Sequence, residues 1–433
     1  MKSLNFNGYL LTSWAAAATL TACGGSQPPV TTPTEIQQNA RAPLSPLSRS
    51  SPIQHVIVVV QVGRSFDNLF SGYPGADTTM RGMCEPSPQW CKVAHEVPLK
   101  PITLQGSDEL GEGTALPDSL STFATEYDAG KMDGFDLIRF GSGGNGVPAR
   151  LYPYAYIVRS ESKPYWDLAR HYALADHMFA TERASSFAGS QVLIAGSTML
   201  SPGRFVTGVT NAGGCDAPLG TRTILSNGRH GPRPCFVWKT MANLLDAAKV
   251  SWKYYTLLCT GRDADYGCYW NAFEAIKAVR FGRNWTRDVS VPNTNIFADL
   301  KRTGFPAVSW VTPDLANSDD SASGGKGGPQ WVTSIVDAVK QSRYWKQTAI
   351  VVVWTDWGGF YDHVAPPQLD AIGLSIRVPM LVISPYAKVG YVSHTEYEQA
   401  SILKFIEENW KLGSLGKTDE RATSIEDMFN FAK

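Results

Sequence analysis

Residues 53–67 read Ile-Gln-His-Val-Ile-Val-Val-Val-Gln-Val-Gly-Arg-Ser-Phe-Asp, and the fold turns on their pattern. Through Val60 the run is almost continuously apolar and β-branched, without polar–apolar alternation, which marks a strand buried on both faces. Strands of that kind belong to parallel sheets with helices on either side. Ligands of such sheets bind beyond the carboxyl ends of the strands, yet the residues delivered there, Val62 and Gly63, carry no functional group.

Outward from this stretch, the same composition recurs at residues 306–311, 348–354 and 378–384. Amphipathic helical patterns cover 240–248, 330–341 and 398–412. The alternation predicts an α/β domain over residues 53–433, with a mostly parallel central sheet and helices on both faces. The expected rim of the site lies just past the end of each strand, at residues 61–67, 312–320, 355–363 and 385–388. Long Gly-rich or polar loops at 71–120 and 207–233 are expected to cap the sheet rather than to form a second core.

With 39 basic and 39 acidic residues the chain is formally neutral. No long-range field draws it to nucleic acid. At the N-terminus an apolar run from Tyr9 to Ala22 is too short for a membrane span and ends in Leu20-Thr21-Ala22-Cys23. That tetrad resembles the bacterial lipoprotein cleavage box, so residues 1–23 are expected to be a lipoprotein signal peptide with Cys23 the lipidated residue. Residues 24–52, rich in Pro, Ser and Thr, cannot bury enough surface to fold and are expected to be a flexible stalk. The expected location is the cell envelope, with membrane contact only through the N-terminal lipid. Beyond Cys23 the cysteines fall in close pairs, Cys84 with Cys91, Cys215 with Cys235, and Cys259 with Cys268. Disulfides suit an exported chain, and the rival metal reading lacks Cys-x-x-Cys spacing.

Several chemistries are excluded by absent motifs. The sequence has no Gly-x-Ser-x-Gly elbow, no phosphate-binding Gly-x4-Gly-Lys loop and no His-Glu-x-x-His. Asp356 follows the strand at 348–354, where a carboxylate is able to hold a hard divalent cation or simply to cap the next turn.

Five segments carry a resemblance: IQHVIVVVQVGRSFDNLF, ALADHMFATERASSFAGSQVLIAG, SWVTPDLANSDD, TAIVVVWTDWGGFYDHVAPP and RVPMLVISPYAKVGYVSHTEYEQASILKFIEENWKLGSL. In this order they resemble the signature segments of the bacterial phosphoesterase family of phospholipases C and related acid phosphatases. The resemblance implies an alkaline-phosphatase-like α/β fold, a hydroxyl nucleophile, one divalent metal in an active copy, and a phosphate-ester small molecule or phospholipid as substrate. On the matching positions, Ser186 is the candidate nucleophile and Asp356 a metal ligand; His363 and His394 contact a ligand or are satisfied by backbone groups, and Arg64 neutralises a phosphate or pairs with Asp67.

The departures from the family pattern fall on these positions. Val62 and Gly63 stand where the family has a metal-binding Glu and Asn, and Thr355 replaces the first of two paired acids. Ala188 and Ser190 replace a Pro and a His after the nucleophile, Asp320 replaces a His after Ser-Asp, and Asp118-Ser119-Leu120 stands in place of His-x-His. A serine hydroxyl is a poor nucleophile without an activating metal or base, and metal stabilisation of phosphoryl charge contributes several kcal/mol. Loss of metal-dependent turnover is therefore expected, leaving an envelope protein that binds a ligand or a protein partner with no metal at all. The alternatives are a working hydrolase, or one in which Asp118, Asp319 and Asp320 replace the lost groups. Trp354 and Trp357 line an apolar cleft or pack beside the sheet.

Overall fold

The computed structural model of the protein describes residues 51–86, 91, 95–104, 116–138, 149–211, 213–257, 270–320 and 326–432. The signal peptide, Cys23, nearly all of the stalk and the Cys259–Cys268 pair lie outside these residues. Among the described residues no helix is long and apolar enough to cross a membrane.

The strand read from residues 53–67 is β1 (His55–Gln61), buried along its whole length. The central sheet adds β2 (Ala173–Ala175), β3 (Trp252–Tyr255), β4 (Val289–Ser290), β5 (Val308–Val311), β6 (Thr348–Trp354), β7 (Met380–Ile383) and β8 (Tyr391–Ser393). Their order across the sheet is β4-β3-β5-β1-β6-β7-β2-β8. β1 pairs in parallel with β5 on one side and β6 on the other, in register from His55 opposite Thr348 to Gln61 opposite Trp354. Each of the five consecutive residues from Val56 to Val60 is buried, and each side chain contributes about 1.5–3 kcal/mol by leaving water.

β7 runs antiparallel to both β6 and β2. This corrects one expectation. Residues 385–388, which come after β7, emerge at the opposite edge from the carboxyl ends of β1 and β6; the residues that precede it, Arg377 among them, reach the site instead.

The pleat shows that helices cover both faces. Parallel neighbours in register share a face, so Trp310, opposite Val58, and Trp354, opposite Gln61, point to opposite sides. Trp354 packs edge-on to Tyr165 of the helix α1 (Arg159–His171), and Trp310 Nε1 donates to the Leu193 carbonyl of α2 (Ser186–Ala195). α1 packs on α3 (Gly328–Gln341), and α2 packs on α4 (Gln399–Trp410).

The loop from residue 71 to 120 does more than cap. Cys84, Cys91, Val97 and Leu99 join Phe123, Phe135, Tyr154, Trp357, Tyr361 and Ile376 in a second, smaller cluster of buried side chains. Its Cys84–Cys91 disulfide ties the loop internally. Cys215 and Cys235 are likewise bonded.

Candidate functional site

α2 sets the position of the candidate nucleophile. Its first residue is Ser186, and from Phe187 onward it is buried on every side. Gly189 allows the close approach: a Cβ there would lie 2.3 Å from the Thr355 carbonyl oxygen. The helix is thus pressed against the segment that leaves β6, and Ser186 Oγ donates to Asp356 Oδ2 at 2.7 Å.

Asp356 is fully buried and its oxygens are occupied. Oδ2 also accepts from Thr355 Oγ1 at 2.8 Å, and Oδ1 accepts from the Gly358 amide at 2.9 Å. The last contact caps the turn, so the capping role applies alongside the site role. The Asp118 carboxyl is hydrogen-bonded to that of Asp356. Burial raises the Asp118 carboxyl well above its ordinary range, and the charges of Asp356 and Asp320 push it the same way. The pair therefore holds a proton more readily than two separate carboxyl groups do. Burial raises Asp356 as well, against the lowering effect of the hydroxyl and amide donors.

The turn after β6 explains what stands where Val62 and Gly63 lack oxygen donors. Gly358 and Gly359 adopt φ of 63° and 75°, a left-handed conformation that side chains disfavour. A Cβ on Gly358 would fall 2.0 Å from the Gly63 carbonyl oxygen, and one on Gly359 would fall 2.6 Å from Leu116 Cβ. The backbone of Gly63 and the segment carrying Asp118 close directly over the end of the sheet. Val62 is buried as core.

The remaining candidates separate into two groups. Asp320, half-buried, is an electrostatic neighbour of Asp118. Asp319 belongs to the scaffold, since its Oδ2 accepts from Tyr165 Oη at 2.7 Å and Trp354 Nε1 at 3.1 Å. Trp354 and Trp357 pack in the two clusters. Arg64, read as neutralising a phosphate or pairing with Asp67, is wholly buried. Its Nε donates to the Asp319 carbonyl at 2.6 Å, Nη1 to Asn68 Oδ1 at 3.2 Å and Nη2 to the Leu104 carbonyl at 3.1 Å. Burial lowers its pKa, with Asp319 and Asp320 opposing.

His363 and His394 also gather elsewhere. His363 Nδ1 lies 2.6 Å from Asp67 Oδ2 and Nε2 3.0 Å from Asp77 Oδ1, while His394 Nδ1 lies 2.8 Å from Asp176 Oδ2. Arg377, which the sequence reading overlooked, donates from Nε to Asp362 Oδ1 at 2.7 Å and lies 3.6 Å from Asp67 Oδ1. Burial alone would lower His363, but the bond and charge of Asp67 raise it to about 9. An Arg in an otherwise apolar approach to a strand was the available signal.

Among the described residues two groups bring three ligand atoms within 4.8 Å of one another: Asp67, Asp362 and His363, and Glu85, Asp128 and Asp133. In the first, Arg377 pairs with Asp362 and His363 with Asp67, and Lys131 forms an ion pair with Asp128 of the second. Asp356 is in neither. The oxygens of Asp356 are hydrogen-bonded to Ser186, Thr355, Gly358 and Asp118.

The family model described as the Phosphoesterase family matches residues 53–413. Phospholipase C B of Mycobacterium tuberculosis is 26% identical, over 88% of this chain and 78% of its own length. Non-hemolytic phospholipase C of Burkholderia pseudomallei is 25% identical, over 82% of this chain and 55% of its own length. Among solved structures, the phosphonate monoester hydrolase of Agrobacterium radiobacter is similar with a TM-score of 0.39 and 8% identity, covering 87% of this chain and 77% of that one. A protein of the alkaline phosphatase superfamily from Vibrio parahaemolyticus is similar with a TM-score of 0.35 and 11% identity, covering 74% and 73%.

Proposed function

From the premise that the chain belongs to the Phosphoesterase family, we propose that it is a phosphate-ester-binding member in which metal-dependent hydrolysis has been given up. The observation that carries this reading is the hydrogen bond between the carboxyl groups of Asp118 and Asp356 beside Ser186. A proton joins the two carboxyl groups at the place where the family resemblance implies a divalent cation. A shared proton neutralises one charge but cannot polarise a phosphoryl oxygen as a divalent ion does. The names of the relatives, phospholipases C, suggest phospholipid head groups or phosphomonoesters as the ligand class. The expected lipidation at Cys23 would hold the protein in the cell envelope, where the two disulfides would persist.

The test is an assay of purified protein on a chromogenic phosphate ester and on phosphatidylcholine, with and without added divalent cations, beside Ser186→Ala. The expected result is no cation-dependent turnover and no cation-dependent rise in Tm. Turnover that requires a cation and is abolished in Ser186→Ala would overturn the reading.

One observation favours a second reading. Ser186 Oγ already donates to a buried carboxylate at 2.7 Å, the geometry a general base needs to accept the hydroxyl proton. On this reading Ser186 attacks the phosphorus, Asp356 takes its proton and Asp118 supplies one to the leaving oxygen. Cation-independent turnover lost in both Ser186→Ala and Asp118→Asn would favour it over the first.

A further inference from the structure

Three segments near Ser186 are stitched into one platform. The Cys215–Cys235 disulfide joins the first two. The Cys215 amide donates to the Glu274 carbonyl at 2.8 Å, the Phe236 amide to Ala275 at 2.7 Å, and the Lys277 amide to Phe236 at 2.8 Å. Arg280 Nε donates to Asp216 Oδ2 at 3.0 Å, and Arg233 Nη2 to the Cys215 carbonyl at 3.0 Å. The platform adjoins the site through Phe187, the residue after Ser186, whose ring lies 6.5 Å from that of Phe236.

Each segment exposes one large apolar side chain: Leu219 at 96%, Val237 at 83% and Phe281 at 64%. Leu219 stands at the tip of a tight turn, with the Thr221 amide bonded to Pro218 at 3.1 Å and Gly220 at φ 90°. Turn tips ordinarily carry polar residues, and exposed apolar groups on a rigid support mark an interaction surface. Residues 213–239 and 276–287 together hold eight Lys and Arg, of which Arg280 pairs with Asp216 and Glu274, and Arg287 with Asp246 and Asp288. Arg222, Arg229, Lys277 and Arg283 are exposed.

We propose that this platform is a docking face for an anionic phospholipid surface. Apolar tips ringed by cations insert into the headgroup region while the cations meet lipid phosphates. The charge selects the occupant, because a neutral protein partner would give the exposed Arg222, Arg229, Lys277 and Arg283 no counter-charge. The proposal rests on the phosphate-ester reading for the source of the lipid, and it places Ser186 beside the membrane surface.

The test is sedimentation of the full chain, carrying Cys23→Ser so that no acyl chain contributes, with vesicles of phosphatidylcholine alone and of phosphatidylcholine mixed with phosphatidylglycerol. Binding to the mixed vesicles is expected, falling with salt, and at least roughly tenfold weaker in the triple variant Leu219→Ser, Val237→Ser, Phe281→Ser. A second variant, Lys277→Glu with Arg283→Glu, should lose the preference for anionic vesicles while keeping the parent Tm. Ser186→Ala should bind as the parent does, so a failed turnover assay leaves this result readable. Equal binding by parent and triple variant, or no binding by the parent, would overturn the proposal. So would a dimer in the absence of vesicles that the triple variant dissolves, because the face would then belong to a second copy.

Discussion

The carboxyl groups of Asp118 and Asp356 are hydrogen-bonded in a site where neither Val62 nor Gly63 offers a side-chain oxygen, and burial raises both above the ordinary carboxylate range. A folded-state pKa raised above the unfolded value means that the native state binds the extra proton. The linked stability is therefore full below about pH 4, the unfolded range for Asp, and declines as pH rises above it. Asp118→Asn keeps a donor for Asp356 and removes the ionisation. Urea unfolding should show Asp118→Asn matching the parent near pH 4 and exceeding it by about 1 kcal/mol or more at neutral pH. A loss of stability at pH 7 would show that Asp118 is not the proton carrier.

The closure of Gly358 over Gly63 gives a sharper stability test. Gly358→Ala combines a left-handed φ with a Cβ placed 2.0 Å from a backbone oxygen, so the main chain itself must move. The cost should exceed about 3 kcal/mol. Gly75 is the control: its φ is 82°, but nothing lies within 4 Å of an added Cβ. Gly75→Ala should cost only about 1 kcal/mol. Similar losses in the two variants, measured by thermal or urea unfolding, would contradict the described closure.

The sheet core was legible because its long strands are runs of β-branched residues. β6 has the predicted bounds, and β1 extends the predicted strand by Gln61. β2, with the sequence Ala-Leu-Ala, and the two-residue β4 carry too little pattern to read. The direction of β7 was also hidden, since a buried strand has the same composition whichever way it runs. Within the site, Ser186 and Asp356, which the structure joins by a hydrogen bond, could be singled out because each lies next to a strong secondary-structure signal. The partnership of Asp118 with Asp356 joins segments far apart in the chain and depends on how a polar loop folds back. Local periodicity carries no record of that. Arg64 and His363 were nominated for ligand contact because a polar side chain near a strand end looks the same whether it meets a ligand or a buried carbonyl.

The His363 cluster adds a separate pH dependence. With its pKa raised to about 9 by Asp67, His363 contributes stability that is fully present below its unfolded value of about 6.5 and is lost as pH rises through 9. The parent should therefore lose Tm between about pH 7 and 9.5. His363→Gln should be less stable than the parent at pH 6 and nearly flat across the alkaline window. An unchanged alkaline slope in that variant would remove His363 as the source.

Arg64 separates a scaffold role from ligand binding. Its three nitrogens each donate to a different protein acceptor, and its guanidinium carbon lies 4.7 Å from the centre of the Phe360 ring. Lysine keeps the charge but cannot reproduce that planar fork. Arg64→Lys should lose about 3–5 kcal/mol, because unpaired acceptors and a poorly placed buried charge replace a satisfied one. Ser186→Ala, which removes one of several donors to Asp356, should lose only about 1–2 kcal/mol. A residue that instead neutralised a bound phosphate would give the opposite result for Arg64→Lys, weaker binding of a phosphate ester at nearly unchanged Tm. Calorimetric titration with a phosphate ester, run beside thermal unfolding of the two variants, distinguishes the outcomes. A stable Arg64→Lys protein with lost ligand affinity would return Arg64 to the functional site.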